Sequence, residues 1–210
     1  MGIAERRQRE KEQRAQDIVD AAEKIIFSKG YEKATMDEIA EAAELSKGTL
    51  YLYYKTKEEL YQAIAIRGNI ILRKMAQAAL QDDMNGLEKI ITITQAYFRF
   101  YEQQRSYFDA LHHMDTSEMT PEAIQERHQA FERSENALYL LRDVIAQGVE
   151  DRSIRSDVDP MKQALLVWGQ ALGVLQVMIS KECMMVDVLN VQRKDLMEAF
   201  YTTLQRSLMP

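Results

Sequence analysis

The chain has 210 residues, with 27 Lys and Arg against 33 Asp and Glu and a formal net charge of −6. This balance excludes a DNA binder that works through overall basic charge, so any affinity for phosphate must be local. The single cysteine, Cys183, excludes an intrachain disulfide and fits a reducing cytoplasm, while the charged opening MGIAERRQRE predicts no signal peptide. The sequence reads as having no apolar run of about 18 residues, so no membrane contact is expected.

Residues 1–13 are rich in Arg, Glu and Gln and carry no apolar stripe. They read either as a frayed arm or as the first turns of a helix. Arg6, Arg7, Arg9 and Arg14 could reach DNA phosphates, and a solvated end is the equal alternative. Ile18, Ala21, Ala22, Ile25 and Ile26 then make the inward stripe of a first helix, which Gly30 stops. Tyr31 is placed to cover a small core.

Thr35 to Lys57 is the stretch around which the chain is organised. Thr35 is a helix N-cap with Glu38 as its capping-box partner, and Met36, Ile39, Ala40 and Ala43 form an apolar face. Glu44-Leu45 leaves room for only a tight turn. Ser46 is a second N-cap, Leu50 and Tyr54 share an inward face, and Lys47, Gly48, Tyr51 and Leu52 face outward with Thr49 and Tyr53 at the flank. Thr56 caps a further helix with Glu59 as partner. Two short helices joined by a tight turn predict a helix-turn-helix whose second helix enters a major groove. Between Leu45 and Lys57 there are lysines (Lys47, Lys55, Lys57) and no acid. The tyrosine hydroxyls can meet phosphate oxygens, and Gly48 lets backbone approach closely. The plainer alternative is that these tyrosines pack and these lysines are a solvated face.

Ser46-Lys47-Gly48-Thr49-Leu50-Tyr51, followed by Tyr54-Lys55-Thr56-Lys57-Glu58-Glu59-Leu60, closely resembles the tetracycline-repressor (TetR) family of bacterial transcriptional regulators. Ile18 to Gly30 and Thr35-Met36-Asp37-Glu38-Ile39-Ala40 match as well, so the resemblance is specific over about residues 14–63. Leu52 and Tyr53 depart from the family, which usually carries an aromatic residue and often a histidine there. The resemblance implies an all-α protein in which residues 1–56 bind double-stranded DNA and residues 57–210 bind an effector and dimerise. It implies DNA contacts from Thr35, Ser46, Lys47, Gly48, Thr49, Tyr51, Leu52, Tyr53 and Lys57.

Beyond this segment the elements are helical throughout. A long helix from Lys57 to about Leu80 passes through Gly68 without a break and belongs to both domains, a rigid lever between them. Asn85-Gly86 is a turn. The next helix, about 87–102, is apolar nearly all round and is therefore central. A shorter one over about 107–114 brings Phe108, Leu111, His112 and His113. Thr120-Pro121 and Asp159-Pro160 both read as an N-cap followed by proline at the first helical position. They open helices to about Gly148 (the former on a stripe of Phe131, Leu138, Leu141, Val144 and Ile145) and about Lys181. A last helix spans about 194–208 with Leu196, Phe200, Leu204 and Leu208.

No Gly-rich phosphate loop, zinc-type cysteine pair or serine elbow is present, so neither an enzyme nor a cofactor or metal is expected. His112 and His113 are adjacent and diverge by about 100° on a helix, so they cannot clamp one metal; His128 is isolated. Tyr97, Tyr101, Phe108, His112, Trp168 and Leu172 are the candidates for lining an apolar effector pocket, with plain core as the alternative. The eighth and ninth predicted helices, over 160–181 and 194–208, are apolar enough to form a homodimer interface, with Leu175 and Leu204 on it. The reading is a ligand-responsive repressor that binds a palindromic operator as a homodimer and is released by a small hydrophobic effector. The alternatives are a DNA binder without an effector, and a helical small-molecule-binding protein or enzyme that does not bind DNA.

Overall fold

The computed structural model describes residues 2–113 and 136–210. The described residues form helices and no strand: α1 (Ile3–Lys29), α2 (Met36–Ala42), α3 (Lys47–Tyr53), α4 (Lys57–Ala79), α5 (Gly86–Gln103), α6 (Arg105–His112), α7 (Ala137–Glu150), α8 (Pro160–Ser180) and α9 (Arg193–Leu208). The Thr120-Pro121 start, Phe131 and His128 lie outside the described residues.

By internal contacts the described residues divide into two units. One comprises 2–68 with 105–113, the other 69–104 with 136–210. In the first, Ile18, Ala22 and Ile26 of α1, Ile39 of α2, Leu50 of α3 and Leu60 and Ile64 of α4 meet in one core. Ala110 of α6 completes it, and the Tyr107 ring meets the Phe27 ring edge-on at 5.1 Å. Arg67 of α4 holds α1 through Asp20 at 2.7 Å and Glu23 at 2.8 Å. In this free chain α1 is helical from Ile3 onward, with residues 4–14 exposed, so the basic opening is the first turns of a helix and not a frayed arm. An Arg6–Glu10 ion pair and Gln8–Glu12 and Gln13–Asp17 hydrogen bonds, each four residues apart, support that stretch where no apolar face does.

In the second unit, α7 packs on α5 and α8, and α9 packs on α5 and α8. Ile90, Phe98 and Phe100 of α5, Val144 and Ile145 of α7, Val167 and Leu175 of α8 and Phe200 and Leu204 of α9 are all buried. The N-terminus of α5 is capped twice. Asn85 takes the Glu88 N–H, and Asp151 accepts the Gly86 N–H at 2.8 Å from beyond the end of α7. A π-helical turn, Met184–Val188, follows α8, which apolar spacing does not foretell.

One expectation is corrected by α8. By length and composition it is apolar enough to cross a membrane, with a mean hydropathy of 1.4 over 18 residues. Lys162, Gln163, Gln170 and Gln176 interrupt the apolar letters, and that is why the run does not show in the sequence. Here Ala164, Val167, Ala171, Leu175 and Met178, three or four apart, form a buried stripe against the bundle, while Leu165, Leu166, Trp168 and Val177 are exposed. Leu175 and Leu204 are 1% and 2% exposed, so both belong to the protomer core and cannot lie on an outer face.

Candidate nucleic-acid interface

The helix-turn-helix is built by its caps. Thr35 Oγ1 accepts the Glu38 N–H while Glu38 Oε2 accepts the Thr35 N–H, closing the capping box that starts α2. Leu45 N–H donates to Ala40 O across the turn, and Glu44 takes a left-handed φ of 55° to make the bend. Ser46 Oγ accepts the Thr49 N–H at 3.1 Å and shares a hydrogen bond with Thr49 Oγ1 at 2.9 Å. Leu50, fully buried, pins α3 to the core, with Tyr53 and Tyr54 half-buried beside it. Tyr54 ends α3 in an extended conformation. Glu59 does not close a box on Thr56. Thr56 Oγ1 accepts the Glu59 N–H, and the Glu59 carboxylate reaches one residue further back, to Lys55 N–H at 2.6 Å.

This leaves Lys47, Gly48, Tyr51 and Leu52 exposed on one side of α3, with Leu52 at 75%. Thr35 and Ser46 are exposed at the starts of α2 and α3. The lysines of the segment are held internally. Lys47 Nζ is 2.5 Å from Asp37 Oδ2, and Lys55 Nζ donates to Tyr51 O at 2.7 Å. Lys57 Nζ donates to the carbonyls of Tyr31, Glu32 and Ala34 at 2.7, 3.3 and 3.1 Å, and sits 4.3 Å over the Tyr31 ring. The Tyr31 hydroxyl donates to Glu58 Oε2 at 2.8 Å, and its ring packs against Tyr61 and His113. Burial, with Glu58 as its acceptor, pushes the Tyr31 hydroxyl well above its ordinary range. A phosphate contact from Lys57 therefore requires this cage to open. Neither the cage nor the Asp37 partnership has a sequence signal, because carbonyl direction and a ten-residue offset across a turn leave no periodic trace.

The effector candidates fall in both units. Tyr97 is buried and Trp168 is 43% exposed, and the neighbouring indole draws the Tyr97 hydroxyl's pKa down. Burial still holds the Tyr97 hydroxyl far above its usual value. Tyr101 and Leu172 are half-buried in the same unit. Phe108 and His112 belong to the other, where the His112 ring stacks on Phe108 at 4.1 Å and its Nδ1 lies 2.7 Å from the Phe108 carbonyl oxygen. Burial pulls the His112 pKa down and favours the neutral ring. Among the described residues no group of three or more His, Cys, Asp or Glu is disposed to hold a metal.

Comparison with known proteins agrees with this geometry. The family model described as bacterial regulatory proteins, tetR family, matches residues 18–64, which run from the first buried residue of α1 into α4. The HTH-type transcriptional regulator YhgD of Bacillus subtilis is 30% identical over 139 residues, 66% of this chain and 70% of that one. The fatty acid metabolism regulator protein of the same organism is 22% identical over 163 residues, 77% and 81% of the two chains. In fold, the fatty acid degradation regulator FadR from Bacillus halodurans superposes with a TM-score of 0.64 at 18% identity, covering 91% of this chain and 94% of that one. With the α2–α3 motif in place and two thirds of a regulator's length matched, the chain belongs to the tetR family of bacterial transcriptional regulators, which bind DNA through a helix-turn-helix.

Proposed function

We propose that this regulator is a repressor that binds a palindromic operator as a homodimer in the cytoplasm and is released by a small apolar effector. The observation that carries the DNA reading is the outer side of α3, where Lys47, Gly48, Tyr51 and Leu52 stand exposed on a helix pinned from behind by Leu50. Tyr51 and Lys47 have the reach for base edges or phosphates. Leu52, apolar and three-quarters exposed, fits against a thymine methyl group. Thr35, Ser46, Thr49 and Tyr53 flank this side and position it on the backbone. Lys57 joins them at the cost of its carbonyl cage. The functional division runs at residue 56, although α4 packs with the DNA-binding unit as far as Gly68.

The exposed side of α8 supports the homodimer. Leu165, Leu166 and Val177 share it with Gly169 and Gly173, where an added Cβ would meet nothing within 4 Å. A second copy can therefore approach the α8 backbone closely, with α9 alongside. The effector reading rests on Tyr97, Tyr101, Trp168 and Leu172 in one unit, and on Phe108 and His112 in the other. Two similar proteins are named as fatty acid regulators, and a fatty acyl compound fits an apolar site with few polar groups. An effector that binds the DNA-incompetent state more tightly shifts the population away from DNA.

Selection from a random duplex pool tests the DNA reading. The expected product is an inverted repeat, and Tyr51→Ala should alter base preference by about 1–3 kcal/mol at a position in each half-site. Enriched sequences without two-fold symmetry would sink the palindrome. A fatty acyl compound should quench Trp168 and weaken DNA binding over the same concentration range; quenching without release would sink the effector.

A further inference from the structure

We infer that Asp37 is a positioning residue for DNA binding, competing with the DNA backbone for Lys47 and thereby setting the affinity for DNA and its salt dependence. The inference rests on the proposal that Lys47 contacts DNA. Asp37 lies in the first turn of α2 and Lys47 in the first turn of α3. The bend between them brings Lys47 Nζ within 2.5 Å of Asp37 Oδ2, with side-chain exposures of 64% and 59%. Both groups face water, so an arriving anion can reach the ammonium without moving the core.

The neighbouring acid shows what Asp37 is not doing. Glu38 accepts the Thr35 N–H in the capping box and pairs with Lys29 at 2.5 Å, so it holds α2 in place. Asp37 makes no such structural bond; among the described residues its hydrogen-bonding partner is Lys47. A carboxylate and a phosphate are both oxyanions that take a lysine ammonium in the same way. In the free protein Asp37 occupies the place that a phosphate takes in the complex. Binding must displace it. That displacement lowers affinity whatever the sequence. Lys55, by contrast, donates to the Tyr51 carbonyl, which leaves no charge behind when it lets go.

The experiment measures binding to a labelled random-sequence duplex about three helical turns long, titrated from about 50 to 200 mM salt. Asp37→Asn should tighten binding by about three- to fivefold per protomer at the low-salt end, the scale of one exposed ion pair. It should also steepen the salt slope by about one ion per protomer. Lys47→Met should weaken binding and flatten the slope. Adding Asp37→Asn to Lys47→Met should then change affinity by less than about twofold, since the competitor has lost its object. An Asp37→Asn protein with wild-type affinity and slope overturns the inference. So does a gain that survives undiminished beside Lys47→Met, which would mean direct repulsion between Asp37 and DNA. If Lys47→Met binds as well as wild type, the Lys47 contact fails first and the inference falls with it. Unchanged thermal midpoints for all three variants show that none of these readings reports unfolding.

Discussion

Lys57 shows how far a residue's role depends on what its neighbours leave free. The ammonium answers three carbonyls that follow the end of α1, and it lies over the Tyr31 ring. Removing it leaves the part-buried Tyr31 and Ala34 carbonyls without this donor, so Lys57→Met should destabilise the free protein by about 1.5–3 kcal/mol, measured by urea unfolding. A cost indistinguishable from zero would mean that the cage is incidental. Asp151 makes a pH prediction. Burial would raise its pKa, but the Ser153 side chain, the Ser153 N–H and the Gly86 N–H outweigh it and hold the carboxyl below its ordinary range. A depressed folded pKa stabilises above the unfolded value near 3.9, and that contribution is lost as pH falls through the folded value. Asp151→Asn should therefore cost stability at neutral pH. Its deficit should shrink as acid unfolding is approached, seen by comparing denaturation midpoints of the two proteins from neutral to acid pH.

At the scale of elements, a close crossing holds α5 to α7. A Cβ on Gly86 would stand 2.1 Å from Gly148 Cα and 2.4 Å from Gly148 N. Backbone cannot yield as a side chain can, so Gly86→Ala should cost about 3 kcal/mol or more and lower the thermal midpoint. Gly148→Ala meets Ile154 Cδ1 at 2.4 Å and Cγ1 at 2.8 Å, side-chain atoms that shift more readily than backbone, and should cost less. Equal losses would show that the crossing is looser than it looks. The turn at Asn85-Gly86 is legible in the sequence, but this crossing is not, because nothing in Gly86 announces which glycine faces it. The same contrast holds across the chain. The caps at Thr35, Ser46 and Asp159 are local, and each is found accepting the N–H that its position predicts. Leu50 and Ile39 follow from spacing alone. Asp37 on Lys47, Glu59 on Lys55 and α6 in the core of the DNA-binding unit are long-range or depend on carbonyl direction. Periodicity carries no word of them.

For the whole molecule, the interface proposed on the exposed side of α8 allows assembly to be tested apart from folding. Leu166→Glu and Val177→Glu should split the homodimer, because each puts a charge on the outer face while leaving the buried stripe intact. Leu175→Glu should instead unfold the protomer, since Leu175 is 1% exposed within it. Sedimentation and circular dichroism tell the two outcomes apart; a Leu166→Glu protein that stays dimeric would move the interface elsewhere. The apolar character of α8 also bears on how the chain is made. Through its 21 residues it carries a single charge, Lys162, and by composition could be mistaken for a membrane span. It emerges from the ribosome after α5 and α7, two of the helices that pack on it, and before α9, the third. A nascent chain therefore has most of its cover waiting when α8 appears. Moving the same helix to the front of the chain by circular permutation would leave it bare for most of synthesis. Such a permutant should be lost to aggregation or to the membrane fraction, even if its finished fold were as stable.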